Sequence, residues 1–347
     1  MYIKKILWAI ALIGLVIFGA VAYYIYSAMF QPNTKFNNET AYIYVPTDAG
    51  YNQVREQLIP LLDDIDTFDA LASQKKYTSN IKAGRFSITK GMSNNDIINS
   101  IRSKNLPIKV AFNNQNSLTD LAGRISTQIE TDSLSLLKAM TDESFLSKNG
   151  FSKATALGMY LPNSYELFWN TSAESFRDKM LKEYSRFWTD ARKAKAEKLK
   201  LTPNEVMTLA SIVYEESKQK DEQPRVAGLY LNRLRIGMPL QADPTLKFAA
   251  YQLPKYKNSV IRRVLNVHMD IDSPYNTYKN SGLPPGLIAM PDLSAINAVL
   301  NYENHKYLYM VANAKRIGYH KFAKTLGQHN VNAREYHRYL SSQGIKR

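Results

Sequence analysis

The sequence has no cysteine and only five histidines. Without thiolates the chain can form neither disulfides nor sulfur-ligated metal sites, and its histidines lack the H-E-x-x-H spacing of a zinc site. The glycine patterns that cradle phosphates are missing, and so is the G-x-S-x-G turn of serine hydrolases. We therefore expect no metal and no cofactor, and neither phosphoryl nor acyl transfer.

Acidic residues are also in deficit, with 30 Asp and Glu against 45 Lys and Arg, a formal net charge of +15. This excess favours an anionic partner such as nucleic acid, lipid head groups or an acidic polymer, although basic residues spread along a chain also make an ordinary soluble surface. The 23 tyrosines are amphipathic rings that suit grooves for polar polymers as well as ordinary cores.

Charge is absent from Ile6 until Lys35, and the segment ILWAIALIGLVIFGAVAYYIYSAMF at 6–30 exceeds the ~20 residues that a helix needs to cross a bilayer. Lys4 and Lys5 place residues 1–5 in the cytoplasm by the positive-inside bias. A cleaved signal peptide is the alternative, but its apolar core usually has ~7–15 residues and an A-x-A-like site, which this segment lacks. The pattern favours an uncleaved transmembrane anchor.

This topology places everything after residue 31 across the membrane, which in a bacterium is outside the cytoplasm. Nucleic acid is then not an expected partner despite the charge. The basic surface is directed toward membrane lipid or the cell wall instead.

The remaining pattern predicts an α+β protein in two parts. Strand, helix, helix and strand signals follow one another over residues 40–112, which indicates a small α+β module. Residues 113–347 are mainly helical with mixed structure, including one long helix over 173–199. The loop-rich stretch 238–291 is long enough to suggest a functional role.

One helix carries an acid in an unusual place. Thr202 is a suitable N-cap and Glu205 completes a T-x-x-E capping box, which fixes the start of the helix. Counting ~100° per residue from there, Glu216 continues the edge of the apolar stripe, whereas Glu215 lies beneath Thr208 and Ser211 and should face solvent. The stripe consists of Val206, Leu209, Ala210 and Val213.

A carboxyl group at the edge of a buried face is costly when ionised, and desolvation raises its pKa as a general acid near neutral pH requires. The alternative is that the helix ends here and Glu216 pairs with Arg225 or Arg233. One placed acid beside polar, aromatic loops fits cleavage of a sugar polymer.

Several motifs then occur together in order: LASIVYEES, AGLYLNRLRIGMPLQADPT, SPYNTYKNSGLPPGLIAMP, YLYMVANA and FAKTLGQHN. Over roughly residues 40–345, behind a single anchor, they resemble the endolytic murein transglycosylases of the MltG (YceG-like) family. The resemblance implies a LysM-like module at 40–112 and a catalytic domain at 113–347.

The resemblance also implies site residues. The last acid of the family's A-S-I-V-x-x-E pattern falls on Glu216, the residue that helical phase also selects. Asp243, which precedes Pro244, is open to a second interpretation as a turn former. The groove residues that the resemblance implies are Gln241, Asp243, Tyr275, Asn276 and Thr277, with Asn163 and Tyr165 as weaker candidates.

The function implied is cleavage of nascent peptidoglycan glycan strands at the inner membrane, leaving a 1,6-anhydro-N-acetylmuramic acid end. The expected partners are glycan strands, inner-membrane lipid and peptidoglycan synthases. Two alternatives stay open. One is a muramidase in which a second carboxylate such as Asp243 activates water, and the other is a non-catalytic wall-binding scaffold.

The topology can be tested with a reporter fused after Arg347. We expect the reporter to be active only outside the cytoplasm, because Lys4 and Lys5 hold the short end inside, and the mature protein should keep its N-terminus. N-terminal sequencing that finds a processed form beginning near residue 30 would contradict the anchor.

Overall fold

The computed structural model describes residues 2–256, 259–261 and 263–343. Contacts divide the chain into two compact units, each built from separate stretches. One comprises Met1–Val110, Gln128–Thr131 and Tyr165–Ser172, and the other comprises Ala111–Thr127, Asp132–Ser164 and Ala173–Arg347. The predicted α+β class is confirmed, while the LysM-like assignment of 40–112 stays a prediction.

The elements between residues 2 and 112 follow the predicted order. They are α1 (Tyr2–Phe30), β1 (Thr40–Val45), α2 (Tyr51–Leu58), α3 (Ile65–Gln74), β2 (Gly84–Thr89), α4 (Asn94–Ser103) and β3 (Pro107–Phe112). The N-terminal helix α1 is long and apolar enough to cross a membrane, and none of it is buried in the protein.

Strands β1 and β2 pair antiparallel, with Thr40 opposite Thr89 and Val45 opposite Gly84. Their side chains alternate between the two faces of the sheet, as the period of a strand requires. The inward residues and the helices α2, α3 and α4 enclose a core that includes Ile43, Val45, Val54, Phe68, Phe86, Ile88, Ile97 and Ile101.

The polar tether after α1 is packed against this unit rather than free. The side chain of Asn33 is 6% exposed and donates to the carbonyl of Asp64 and to Oδ1 of Asn94, both at 2.7 Å. Its own Oδ1 accepts the Asp64 N–H at 2.8 Å. Asp64 is also the N-cap of α3, since its carboxylate accepts the N–H groups of Asp66 and Thr67.

Helices dominate the rest of the chain. The elements are α5 (Leu118–Ser126), α6 (Ser133–Met140), α7 (Glu143–Lys148), β4 (Asn163–Phe168), α8 (Ala173–Phe187), α9 (Asp190–Lys198), α10 (Pro203–Glu216), α11 (Gln223–Arg235), α12 (Asp243–Tyr251), α13 (Asn266–Met269), α14 (Leu293–Leu300), β5 (Tyr309–Ala312), β6 (His320–Ala323) and α15 (Leu326–Ser342). Strand β3 pairs with β4, and β5 pairs antiparallel with β6.

One sequence expectation fails in this region. The helix predicted over 173–199 is two helices, α8 and α9. The Thr189 side chain accepts the N–H of Arg192 and so caps the start of α9. Trp188, which lies between the two helices, is buried in the core with 2% exposure. The loop-rich stretch 238–291 contains the helix α12, which begins with Pro at its first turn, a position that suits proline.

Helix α10 is the centre of the second unit and packs against α11, α12 and α14. Every residue from Val206 to Val213 is buried. Thr208 and Ser211, expected on the solvent side, are 3% and 0% exposed. The Ser211 hydroxyl donates to the Thr208 carbonyl and accepts the Ile288 N–H, so a loop covers the face that helical phase had assigned to water.

The buried amide of Asn33 gives a test of how the tether is held. We expect Asn33→Ala to leave the Asp64 N–H and carbonyl without a partner and to destabilise the start of α3 by about 1–3 kcal/mol. Hydrogen exchange of the full-length protein in detergent micelles should show faster exchange at Asp66 and Thr67. The exposed Asn37→Ala is the matched control, and equal exchange in the two variants would contradict the packed tether.

Candidate active site

The predicted start of α10 is confirmed. The Thr202 side chain accepts the Glu205 N–H, and the Glu205 carboxylate accepts the Thr202 N–H at 2.7 Å. These two bonds form the capping box. The helix ends at Glu216, and Ser217 follows in extended conformation. The chain therefore turns immediately after the acid, so Glu216 lies at the C-terminal end of a buried helix with its side chain only partly exposed.

A buried tyrosine donates a hydrogen bond to Glu216. The Tyr230 phenol of α11 is 1% exposed and donates to Oε1 of Glu216 at 2.6 Å. Burial raises the pKa of Glu216 to about 7, although the Tyr230 hydrogen bond and the charge of His320 act to lower it. The carboxyl group is therefore able to hold or release a proton near neutral pH, as a general acid must.

Neither arginine proposed as an ion-pair partner takes that role. Arg225 pairs with Glu303 at 2.9 Å. Arg233 is 7% exposed and donates to the carbonyls of Leu308 and Leu240. Within the described residues, Glu216 forms no salt bridge with either of them, so the alternative of a structural Glu–Arg pair fails.

Glu215 lies outside the cleft, as helical phase predicts, but it is partly rather than fully exposed. Its carboxylate accepts from Lys218 at 2.9 Å, and its side chain is 33% exposed. The same Lys218 ammonium lies 3.4 Å from the centre of the Tyr214 ring. Two adjacent glutamates therefore occupy different environments, one in an ion pair at the surface and one at a cleft.

Glu216 opens into a cleft of about 710 Å³. Most of its lining residues carry rings, charges or an amide, and aliphatic residues such as Leu229, Met310 and Leu340 complete it. Beside Glu216, the polar and aromatic lining residues are Tyr230, Arg233, Gln241, Asp243, Lys247, Arg263, Tyr278, Tyr309, His320, His329, Tyr336 and His337. Such a lining suits a ligand with many hydroxyl and amide groups.

Two of the predicted groove residues line this cleft. Asp243 begins α12, and its Oδ1 accepts the Tyr278 hydroxyl at 2.6 Å. Gln241 has φ +48°, a left-handed conformation that a non-glycine residue adopts only when its surroundings hold it there. Its N–H is tied to the Thr277 carbonyl at 3.0 Å.

The other three predicted residues do not line the cleft. Asn276 is 0% exposed, and its amide donates to the carbonyls of Met269 and Ile271. Thr277 is 1% exposed, and its hydroxyl accepts the Ala242 N–H at 3.0 Å. Tyr275 packs against Phe248 with ring centres 4.6 Å apart. In the structure these three side chains form contacts within the protein that hold the loop before and after them. Their contact with sugar stays a prediction.

The two weaker candidates are also elsewhere. Asn163 lines a different cleft of about 690 Å³, together with residues such as Asn113, Asn114 and Ser164. Tyr165 is 8% exposed and belongs to the first unit. The expectation that Asn163 shares a groove with Glu216 was therefore wrong, because β4 carries it into separate surroundings.

A buried acid–base pair that the sequence analysis missed borders the same cleft. The Glu222 carboxylate is 3% exposed and accepts from Nδ1 of His320 at 2.9 Å, from the His320 backbone N–H at 2.7 Å and from the Ser217 hydroxyl at 2.9 Å. The sequence analysis also missed Tyr230, because a tyrosine within the apolar stripe of a helix predicts an ordinary core residue. Among the described residues, no cluster of three or more His, Cys, Asp or Glu side chains is arranged to hold a metal ion.

Comparison with known proteins agrees with the resemblance. The model of the YceG-like family matches residues 43–335. A Bacillus subtilis protein named endolytic murein transglycosylase is 30% identical over 96% of this chain and 93% of its own length. A Streptococcus pneumoniae protein of the same name is 28% identical over 78% of this chain. The match covers 53% of that relative's own length.

A solved structure shares the fold. The 2.6 Å crystal structure of a protein from Listeria monocytogenes, described as YceG-like, has a TM-score of 0.56 and 26% identity, covering 85% of this chain and 99% of that one. The fold is therefore that of a YceG-like protein. This chain belongs to the YceG-like family.

The raised pKa of Glu216 makes a prediction for stability. A carboxyl group whose pKa rises from 4.5 to about 7 on folding contributes its full stability below pH 4.5, and this contribution is lost as the pH rises through about 7. Glu216→Gln removes the cost of the buried charge. We therefore expect Glu216→Gln to raise the melting temperature at pH 8, with a much smaller rise at pH 5.

Glu215→Gln is the control, and the difference between its melting temperature and that of wild type should be the same at both pH values. An offset for Glu216→Gln that does not change with pH would contradict the burial argument.

Proposed function

We propose that this chain is an endolytic peptidoglycan lytic transglycosylase, with Glu216 as its catalytic acid and base. The observation that supports this most directly is the Glu216 carboxyl group at the mouth of a polar cleft, hydrogen-bonded by Tyr230 and with a pKa of about 7. Family membership supports the enzyme class, and the bond cleaved and the product are part of the proposal.

The first step is proton donation. Because the Tyr230 hydroxyl donates to Oε1, that oxygen acts as an acceptor and the acidic proton of neutral Glu216 resides on Oε2. We assign Oε2 the transfer of this proton to the oxygen that joins N-acetylmuramic acid to N-acetylglucosamine. The bond between that oxygen and the anomeric carbon breaks as the proton arrives, and the anomeric carbon gains oxocarbenium character.

The second step returns the proton. The C6 hydroxyl of the same muramic acid attacks the anomeric carbon, and Glu216, now a carboxylate, accepts the hydroxyl proton. The product is a 1,6-anhydro end, and Glu216 is neutral again. No water enters the product, so one acid suffices where ordinary glycosidases use a pair of carboxyl groups.

The anchor fits this substrate. Helix α1 is long enough to hold the enzyme at a bilayer, and the expected orientation puts the cleft outside the cytoplasm, where new glycan strands emerge. Cleavage there would limit strand length. We also propose that the module at 40–112 contributes to binding of the glycan.

Hydrolysis is a second candidate, because Asp243 also lines the cleft and could activate water. Its carboxylate accepts a hydrogen bond from Tyr278 at 2.6 Å, which orients it. A hydrolytic enzyme would leave a reducing end, whereas a transglycosylase leaves an anhydro end.

Glu216→Gln tests the proposal. The amide keeps the shape of the side chain but can neither donate nor recover the proton, so we expect cleavage to fall by ~10⁴-fold or more, the upper end of losses for general acid–base groups. The assay digests purified glycan strands with full-length protein in detergent, and mass spectrometry identifies the product ends.

Glu215→Gln is the matched control, and it should cleave at close to the wild-type rate. Reducing ends in the wild-type digest would show that the enzyme is a hydrolase and would overturn transglycosylation. Normal cleavage by Glu216→Gln, or loss of cleavage in Glu215→Gln, would contradict the assignment of the acid.

A further inference from the structure

We propose that His320, held by Glu222, is a positioning residue whose fixed positive charge stabilises the Glu216 carboxylate between the two proton transfers. This inference rests on the proposed function and adds to it a charge that no feature of the sequence had indicated. It is built from three separate elements: the turn after α10, the start of α11 and the strand β6.

The geometry fixes the imidazole ring on one side. An ionised carboxylate only accepts hydrogen bonds, so the 2.9 Å contact with Oε2 of Glu222 requires a proton on Nδ1 of His320. The backbone N–H of the same histidine donates to Oε1 of Glu222 at 2.7 Å, so the start of β6 is bonded to the same carboxylate. His320 and Glu216 both line the same cleft.

Each member of the pair favours the charged form of the other in spite of its burial. The side chains of His320 and Glu222 are 16% and 3% exposed. Burial would lower the pKa of His320, but the hydrogen bond and charge of Glu222, with a further effect of Glu216, raise it above its usual value. Burial would raise the pKa of Glu222, yet its bonds to His320 and Ser217 bring it below the usual value. A buried pair of this kind is costly to form and is weak evidence for stability as such.

The position relative to Glu216 suggests what the pair does. The side-chain hydroxyl of Ser217, the residue after the acid, donates to the same Glu222 carboxylate, so the pair is bonded to the direct neighbour of Glu216 in the chain. Several titratable or charged groups from neighbouring elements act on the Glu216 carboxyl or are influenced by it. They are Tyr230 and Arg233 of α11, Asp243 and Lys247 of α12, Tyr278 of the following loop, and His320 of β6.

Among the charged groups that act on Glu216, His320 has the largest effect and favours the ionised form, whereas Asp243 opposes it. The reaction needs both forms of Glu216 in turn. Burial keeps the acid protonated before the glycosidic bond breaks, and an imidazolium nearby limits the cost of the carboxylate that exists until the C6 hydroxyl returns a proton. His320 itself neither gains nor loses a proton, so no further reactant is required.

The test compares pH–rate profiles of full-length wild type, His320→Gln and Glu222→Gln in detergent, with glycan strands as substrate. The acid must be protonated in the free enzyme, so kcat/KM falls as the pH rises through the pKa of Glu216. Removing the imidazolium, or removing the carboxylate that keeps it protonated, should move this alkaline limb upward by about 1 pH unit, the lower end for a close charge. We also expect kcat to fall about tenfold in both variants.

Glu335→Gln is the matched control, because it breaks the 2.6 Å ion pair of Lys321, the next residue on β6, without touching His320. It should leave the alkaline limb in place. A drop in activity in His320→Gln and Glu222→Gln with the limb unmoved would show that the pair only supports the fold, and it would overturn the proposal.

A second readout does not depend on activity. Since coupling between two groups is reciprocal, Glu216→Gln should lower the pKa of His320 followed by NMR of its ring Cε1–H signal, because the Glu216 charge raises it. Identical titration of His320 in wild type and Glu216→Gln would overturn the proposal. If Glu216→Gln still cleaves glycan while the His320 titration shifts, the proposed catalytic role fails, and the coupling between the two side chains stands by itself.

Discussion

The rest of the site depends on the burial of one carboxyl group at the end of a helix. Glu216 completes α10, whose residues Val206 to Val213 are all buried, so the helix cannot rotate to bring the acid into water. Tyr230 donates to one carboxyl oxygen and acts to lower the pKa, but burial outweighs it and raises the pKa to about 7. An acid that keeps its proton in a large fraction of molecules near physiological pH is what protonation of a glycosidic oxygen requires.

The surrounding structure holds this acid between opposing effects. Desolvation favours the neutral form, whereas Tyr230 and His320 favour the carboxylate. Glu222 ties the His320 ring to the turn after α10, and Thr277 holds Gln241 in a left-handed conformation at the cleft. Much of the polar hydrogen bonding near the cleft therefore fixes loops and turns, and only part of it is available to a ligand.

Local sequence rules predicted the helix and its acid, because capping and helical phase depend on neighbours in the chain. The Thr202 capping box fixed the start of α10, and phase placed Glu216 beside the apolar stripe. Partners from other elements could not be predicted in this way. Periodicity cannot show that a loop covers Ser211, that β6 brings His320 to Glu222, or that the amide of Asn276 is used within its own loop.

The central claim is that burial raises the pKa of Glu216 to about 7, and direct titration of its carboxyl group tests it. Full-length protein labelled with ¹³C at the glutamate carboxyl carbons, with the Glu216 signal assigned by its loss in Glu216→Gln, would be followed by NMR from pH 3 to pH 10. The account predicts a midpoint about 2 pH units or more above that of an ordinary glutamate. A midpoint near the ordinary value would contradict it, because the acid would then be ionised before it met its substrate.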